Sequence, residues 1–225
     1  MIQGIIFDFD GLILDTEITI YQSWQEVYAA HGVELRFEDW AKIIGTKAFE
    51  FRPMAALEEQ LGGQIPNRAR VEERRLRREL ELLGKKSVQP GVESYLQDAR
   101  RLGLKIGLAT ISSFDWVGGH LQRLGLIDYF DCIRTGENVT HPKPDPEVYL
   151  SVLEAFELAP EEAFALEDSP NGVMAAQRAG LKCVAVPNSL TRLLPLEHAD
   201  LRLDSLADLS LQDLILRLDE QNEVV

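Results

Sequence analysis

Cysteine is scarce in this chain. Only Cys132 and Cys183 occur among 225 residues, far apart and without metal-ligand spacing or the makings of a disulfide framework. Both are expected to be buried thiols of a reducing compartment. Long hydrophobic runs are also missing: none approaches the ~18 apolar residues that a membrane span needs. The N-terminus opens straight into an apolar strand and shows no basic segment followed by a long apolar one. We therefore expect a cytoplasmic protein with no membrane contact. Positive charge is the third shortage. Lys and Arg number 23 against 37 Asp and Glu, a formal net charge of −14. That balance excludes nucleic acid or an anionic membrane as the main partner. An anionic substrate would need local positive charge to enter. The sequence names no protein partner, and it holds no internal repeat or low-complexity tract.

What is present is ordinary for a globular protein: 45% hydrophobic and 27% charged residues, in a length that suits one large domain or two small ones. The chain is organised around its first fifteen residues. Ile5-Ile6-Phe7 is a short apolar run of the kind that forms a buried parallel strand. Asp8-Phe9-Asp10-Gly11 follows at once, at the strand end where open α/β sheets hold their ligands. Asp8 and Asp10 are two apart, so an extended backbone points them the same way. Two such carboxylates repel unless a cation or a proton shares the site. A calcium loop fits poorly, because Gly11 comes directly after the second Asp and Leu12-Ile13-Leu14 is apolar.

From residue 16 to 86 the pattern is helical. Thr16 is expected to cap a helix over Ile18 to His31, in which Ile20, Trp24, Val27 and Tyr28 fall near helical spacing. Further helices are expected over Phe37 to Ile44, Phe49 to Leu61 and Asn67 to Leu83. In the last, Arg74 to Arg78 are surrounded by Glu72, Glu73, Glu79 and Glu81 and read as a charged, solvated face. Beyond Pro90, helices and strands alternate. Helices are expected over Val92 to Leu102, Trp116 to Leu124, Pro146 to Phe156, Gly172 to Ala179 and Leu206 to Leu218. Strands are expected over Lys105 to Thr110, Phe130 to Thr135, Ala163 to Glu167, Lys182 to Val186 and Leu201 to Leu203. Repeated βα units imply a Rossmann-like parallel sheet with helices on both faces. The expected architecture is an α/β core of residues 1–15 and 87–225, with a small helical-bundle cap of residues 16–86 inserted and able to close over the sheet's C-terminal edge.

If the sheet is parallel, that edge gathers Asp8, Asp10, Thr110, Ser112, Glu167 and Asp168, with Lys143 held in a proline-rich loop, His141-Pro142-Lys143-Pro144-Asp145-Pro146. Four carboxylates cannot crowd together uncompensated. A hard cation and one ammonium would compensate them, and an all-oxygen ligand set favours Mg²⁺. An anionic phosphate ester could then approach a free carboxylate.

These residues resemble the haloacid dehalogenase-like hydrolase superfamily, in its β-phosphoglucomutase-like group with a helical cap. Four ordered motifs carry the resemblance: Asp8-Phe9-Asp10-Gly11 through Glu17, Leu108-Ala109-Thr110-Ile111-Ser112, Lys143-Pro144-Asp145-Pro146, and Leu166-Glu167-Asp168-Ser169-Pro170-Asn171-Gly172. The resemblance implies Asp8 as the nucleophile that becomes an aspartyl-phosphate, and Asp10 as the general acid and base. It implies Thr110 as the hydroxyl that binds the transferring phosphoryl group, with Ser112 near it, and Lys143 as the lysine pairing nucleophile and phosphoryl oxygens. Asp168, with Glu167, would anchor Mg²⁺ alongside Asp8 and the backbone carbonyl of Asp10. Within the cap, Lys47 in Gly45-Thr46-Lys47 or Arg52 could hold a distal anionic group of the substrate, or be simple surface charge.

The expected activity is a magnesium-dependent phosphatase acting on a small phosphorylated metabolite, a sugar phosphate or similar monoester. A phosphoglucomutase-type transferase is the alternative. In those mutases a cap histidine stands ten residues after the second motif aspartate; here that position is Ile20. Dehalogenase chemistry lacks the second aspartate, so Asp10 argues against it. A catalytically idle binding module is opposed by the intact set of motif residues.

Overall fold

The computed structural model describes residues 1–41, 44 and 52–220. Strand β1 is Gly4–Phe7, with every residue buried. Among the described residues, α1 (Glu17–Ala30), α2 (Phe37–Trp40), α3 (Pro53–Leu61) and α4 (Arg68–Leu83) follow. The chain then alternates: α5 (Val92–Leu102), β2 (Lys105–Ala109), α6 (Phe114–Leu124), β3 (Cys132–Arg134), α7 (Glu147–Phe156) and β4 (Ala163–Glu167). It ends with α8 (Pro170–Arg178), β5 (Lys182–Ala185), β6 (Leu201–Arg202) and α9 (Leu211–Glu220). The strands make one sheet in the order β3-β2-β1-β4-β5-β6, each pair parallel. β1 is therefore central, with β2 and β4 at its sides.

Side chains of a strand alternate between faces, and β1 shows what that does. Ile5 and Phe7 belong to one apolar layer with α5, α6 and α9; Ile6 belongs to the other, with α7 and α8. The continuous apolar run is thus the signature of a strand covered on both sides. Helices α1 to α4 bury a third cluster of their own, built on Tyr21, Trp24, Tyr28, Trp40 and Leu57, to which Leu190 from the sheet side adds. No helix among the described residues is long and apolar enough to cross a membrane.

Several ends differ from the sequence expectation because a side chain caps elsewhere. Ser113 accepts from Trp116 N, so α6 begins at Phe114 rather than Trp116. Ser169 accepts from Gly172 N, and α8 begins at Pro170. Ser210 accepts from Asp213 N, so α9 starts at Leu211, five residues after the expected start. Thr16 makes no side-chain cap at all. α2 is a single turn, and the remainder of the expected helix over Phe37 to Ile44, like the start of that over Phe49 to Leu61, runs into residues outside those described. Cys183 is buried as expected, but Cys132 on the edge-side strand β3 is only half-buried, and both thiols are free.

Candidate active site

The sheet topology assembles the site from residues far apart in sequence. Phe7 pairs with Leu108 on one side and Leu166 on the other, so the residues just beyond β1, β2 and β4 lie side by side. Those residues are Asp8, Thr110 and Asp168, with Glu167 the last residue of β4 itself. Asp8 N still donates to Leu166 O at 3.0 Å, and Thr110 N to Arg134 O at 3.0 Å. The ladder hydrogen bonds thus fix the backbone under these side chains. All four are buried.

Lys143 enters this edge from the proline-rich loop and is 4% exposed. Its Nζ donates to Asp8 Oδ1 at 2.6 Å, Glu167 Oε1 at 2.5 Å and Ala109 O at 3.0 Å. The Tyr149 hydroxyl donates to the same Glu167 oxygen at 2.6 Å. The other Glu167 oxygen accepts from Asp168 N at 3.1 Å and from Ser169 Oγ at 3.3 Å. Both oxygens of Glu167 are therefore engaged in holding the lysine and the β4–α8 turn. Gly172 is required beneath it, since a Cβ there would collide with the Glu167 carboxylate.

Asp10 is fastened separately. Its Oδ1 accepts from Thr16 Oγ1 at 2.8 Å and from Trp116 Nε1 at 3.0 Å, and its Oδ2 accepts from Ser112 Oγ at 2.5 Å. The hydroxyl expected to cap α1 is thus directed at Asp10, and the Ser112 hydroxyl, expected at the phosphate, is also given to Asp10. Gly11 makes the turn between these groups with φ of +89°, and any side chain on it would strike Asp168 and Asn188. Asn188 Nδ2 donates to Asp168 Oδ2 at 2.7 Å.

Sequence reasoning missed Trp116, Tyr149 and Asn188. Trp116 lies on the buried side of α6, packed edge-on against His120 with ring centroids 4.5 Å apart. Its spacing signals helix burial, and nothing in the sequence says that the indole nitrogen reaches residue 10.

The electrostatics show a shortage of positive charge. Burial pushes the Asp8 carboxyl up, Lys143 pulls it back, Glu167 pushes it again, and it stands at about 8 against an ordinary 3.8. Burial raises Asp168 far above the carboxylate range, helped by the charges of Glu17, Asp8 and Glu167. Burial works against the ammonium of Lys143, but Asp8 and Glu167 outweigh it and hold that group above its usual value. A reluctant Asp8 and a firmly charged Lys143 describe one condition: three buried carboxylates face one ammonium. A cation or a proton must complete the cluster. Carboxylate oxygens of Asp8, Glu167 and Asp168 lie within 4.8 Å of one another. Hard oxygen donors at this spacing fit a divalent cation such as Mg²⁺, with Asp8 and Asp168 the better donors because Glu167 is already committed. A second trio, His141, Asp145 and Glu147, is similarly close. There, however, both Glu147 oxygens already accept backbone N–H bonds from Thr140 and one also from His141.

A cavity of about 510 Å³ opens above the cluster, bounded by Asp8, Asp10, Thr110, Lys143 and Asp168 on the sheet side. Ile20, Trp40, Ile44 and Glu79 bound it from the segment between β1 and α5. Lys47 lies outside the described residues; Arg52 is exposed. The reading of α4 as a solvated charged face needs correction. Arg75 and Glu79 are buried, and the Arg75 guanidinium sits over the Trp24 ring at 4.9 Å. The heptad-like crowding of charges concealed one inward-facing pair.

The fold is a parallel α/β sheet whose central strand brings a buried carboxylate to a lysine and a cluster short of positive charge. The chain belongs to the haloacid dehalogenase-like hydrolases, whose family model matches residues 5–186. It is similar to the Bacillus subtilis (strain 168) protein named "Putative phosphatase YhcW", with 46% identity over 99% of this chain and 100% of that one. It is also similar to the phosphorylated carbohydrates phosphatase of Thermotoga maritima, with 33% identity over 80% of this chain and 82% of that one. A solved structure of a CbbY mutant from Rhodobacter sphaeroides, in complex with xylulose-(1,5)bisphosphate, superimposes with a TM-score of 0.74 at 30% identity, covering 94% of this chain and 98% of that one. The chain is a phosphatase of this family.

Proposed function

We propose that this enzyme hydrolyses a small phosphorylated metabolite, a sugar phosphate or similar monoester, through a phosphoryl group carried on Asp8. The observation that supports it most is the hydrogen-bonded chain Asp8–Lys143–Glu167–Tyr149 on the central strand edge, with Asp10 fastened beside it. The names of the relatives point the same way, since one acts on phosphorylated carbohydrates. Residues 16–86 form the cap in this reading and residues 1–15 with 87–225 the core.

Lys143 holds Asp8 Oδ1, which leaves Oδ2 for attack on phosphorus. As the new P–O bond forms, the bond to the substrate's alcohol oxygen breaks, and a proton on Asp10 passes to that oxygen. Water then attacks phosphorus, Asp10 takes its proton, and the Asp8 carboxylate is restored. Lys143 and Thr110 bind the phosphoryl oxygens, where charge is greatest during transfer. Asp8 and Asp168 would hold Mg²⁺, which would screen the approach of a carboxylate to a phosphate. Thr16, Ser112 and Trp116 keep Asp10 in place, and Trp116, whose indole N–H can only donate, holds its Oδ1.

Hydrolysis is favoured over phosphoryl transfer between sugar hydroxyls. Ile20 lines the cavity and can neither donate nor accept a hydrogen bond, so the position at which the mutases carry a histidine offers no polar group. Phosphate release from a panel of phosphomonoesters, with Mg²⁺ and with excess chelator, tests the proposal. Release that requires Mg²⁺ is expected. A panel that yields no phosphate under any condition refutes it. Rapid conversion of β-glucose 1-phosphate to glucose 6-phosphate, with a trace of glucose 1,6-bisphosphate and without matching phosphate release, would make the enzyme a mutase.

A further inference from the structure

Glu79 is the one carboxylate that α4 presents to the cavity. It is 7% exposed, and Arg75 beside it is 7% exposed. A buried carboxylate needs a partner, and here Arg75 Nη1 donates to Glu79 Oε2 at 2.5 Å. The rest of the guanidinium is turned away from the cavity. Its Nε and Nη2 donate to Glu72 Oε1 at 3.0 and 2.8 Å, Nη1 also reaches Ser23 Oγ at 3.2 Å, and the plane rests over Trp24. Arg75 does not line the cavity. The arginine thus anchors the glutamate without offering its own charge to a ligand. One oxygen of Glu79 is held, and the other is available at a fixed place. Pre-setting an acceptor in this way lowers the ordering cost when a ligand arrives.

The charge around the cavity has the same sense. Among its described lining residues, Asp8, Asp10, Glu17, Glu79 and Asp168 are acidic and Lys143 alone is basic. Lys143 is bound to Asp8 and Glu167 at the sheet edge, where the reading above places the substrate's phosphate. Among the described lining residues, the far end of the substrate meets a carboxylate acceptor and the apolar walls of Ile20, Trp40 and Ile44. A hydroxyl would donate to Glu79 in a charge-assisted bond; a second phosphate or a carboxylate would be repelled in a partly dry space.

We propose that Glu79 is a specificity-determining residue that selects substrates with an uncharged, hydroxyl-bearing far end and rejects those with a second phosphate. The inference rests on the phosphomonoesterase reading and deepens it: the substrate class is the monophosphate of a neutral polyol or sugar.

Matched pairs test it on the full-length protein with Mg²⁺: glucitol 6-phosphate against fructose 1,6-bisphosphate, and ribose 5-phosphate against ribulose 1,5-bisphosphate. Phenyl phosphate, which has no hydroxyl at its far end, serves as reference. The monophosphates are expected to exceed the bisphosphates in kcat/KM by about tenfold or more, the range of a hydrogen bond to a charged group. Glu79→Gln should narrow that ratio mainly through KM and leave the phenyl phosphate rate within about threefold. Glu79→Asp should keep the discrimination against bisphosphate while raising KM for the monophosphate. A wild-type enzyme that takes bisphosphates as well as monophosphates overturns the inference, as does an unchanged ratio in a Glu79→Gln protein of native melting temperature. If Glu79→Gln does not fold, the wild-type ratios and Glu79→Asp still decide. Phosphate from phenyl phosphate with no discrimination within the pairs sinks the role of Glu79 alone. No phosphate from any compound sinks the phosphatase reading beneath it.

Discussion

Removing divalent cations should make the stability of this protein fall as pH rises from about 4 to about 8, and Mg²⁺ should offset part of the fall. An acid whose value is higher in the folded than in the unfolded chain binds protons on folding. Asp8 rises from 3.8 to about 8 because burial and Glu167 outweigh Lys143. Its protonated form is favoured in the folded protein, so its unfavourable contribution is absent below pH 4 and complete above pH 8. Asp168 is raised as well, by burial and neighbouring carboxylates, and adds in the same direction. Lys143, raised too, contributes stability that persists until pH exceeds the ordinary lysine range, and so adds no slope in this window. At about 1.36 kcal/mol per pH unit, Asp8 alone sets a ceiling on the order of 5 kcal/mol. For a chain of this size that corresponds to a drop in Tm on the order of 10 °C. Mg²⁺ at about 100 times its Kd returns about 2.7 kcal/mol, mostly at high pH, where both carboxylates are charged. Thermal melting in chelator and in Mg²⁺, from pH 4.5 to 8.5, measures both effects. A Tm in chelator that is flat or rises with pH, or an equal Mg²⁺ gain at pH 5 and pH 8, refutes the reasoning.

Lys143→Met removes the ammonium from between Asp8 and Glu167; it should abolish turnover and cost about 3–5 kcal/mol, the penalty for an orphaned buried charge, whereas a denaturation midpoint equal to wild type would show that the cluster is already neutral. Trp116→Phe keeps the ring and removes the N–H on Asp10; kcat should fall about fivefold to tenfold with KM nearly unchanged, and a change in KM alone would make Trp116 only a cavity wall. Asp10→Asn should lose about 10²–10⁴-fold on an alkyl phosphate and less in the first step on an aryl phosphate, whose leaving group needs less help; equal small losses on both would mark Asp10 as structural.

The strands and the sheet edge were legible because the apolar runs of β1, β2 and β4 are covered on both faces and lead directly to a carboxylate or a hydroxyl. Asp8, Thr110, Glu167 and Asp168 follow directly from that pattern. Lys143 was legible because prolines on both sides restrict its loop. Helix ends were less so, since Ser113, Ser169 and Ser210 choose the start and several hydroxyls compete nearby. Thr16 shows the limit: its hydroxyl had a local use as a cap, and a tertiary partner, Asp10, took it instead. Arg75 and Glu79 were misread because charge at helical spacing looks solvated unless the opposing surface is known. Trp24 supplies that surface from another helix, 51 residues earlier in the chain.

The order of the strands has a consequence for how the protein is made. β1 leaves the ribosome first but sits in the middle of the sheet, between β2 and β4. Lys143 lies 135 residues after Asp8, and Asp168 comes later still. A nascent chain therefore carries Asp8 for most of its synthesis with no ammonium beside it and no neighbouring strand on one flank. The last of the described lining residues arrive with β4 and the turn into α8, so the cavity edge is complete only once four of the six strands have been synthesised. An unfinished chain ending before residue 143 holds Asp8 and Asp10 without the ammonium that partners Asp8 in the folded protein.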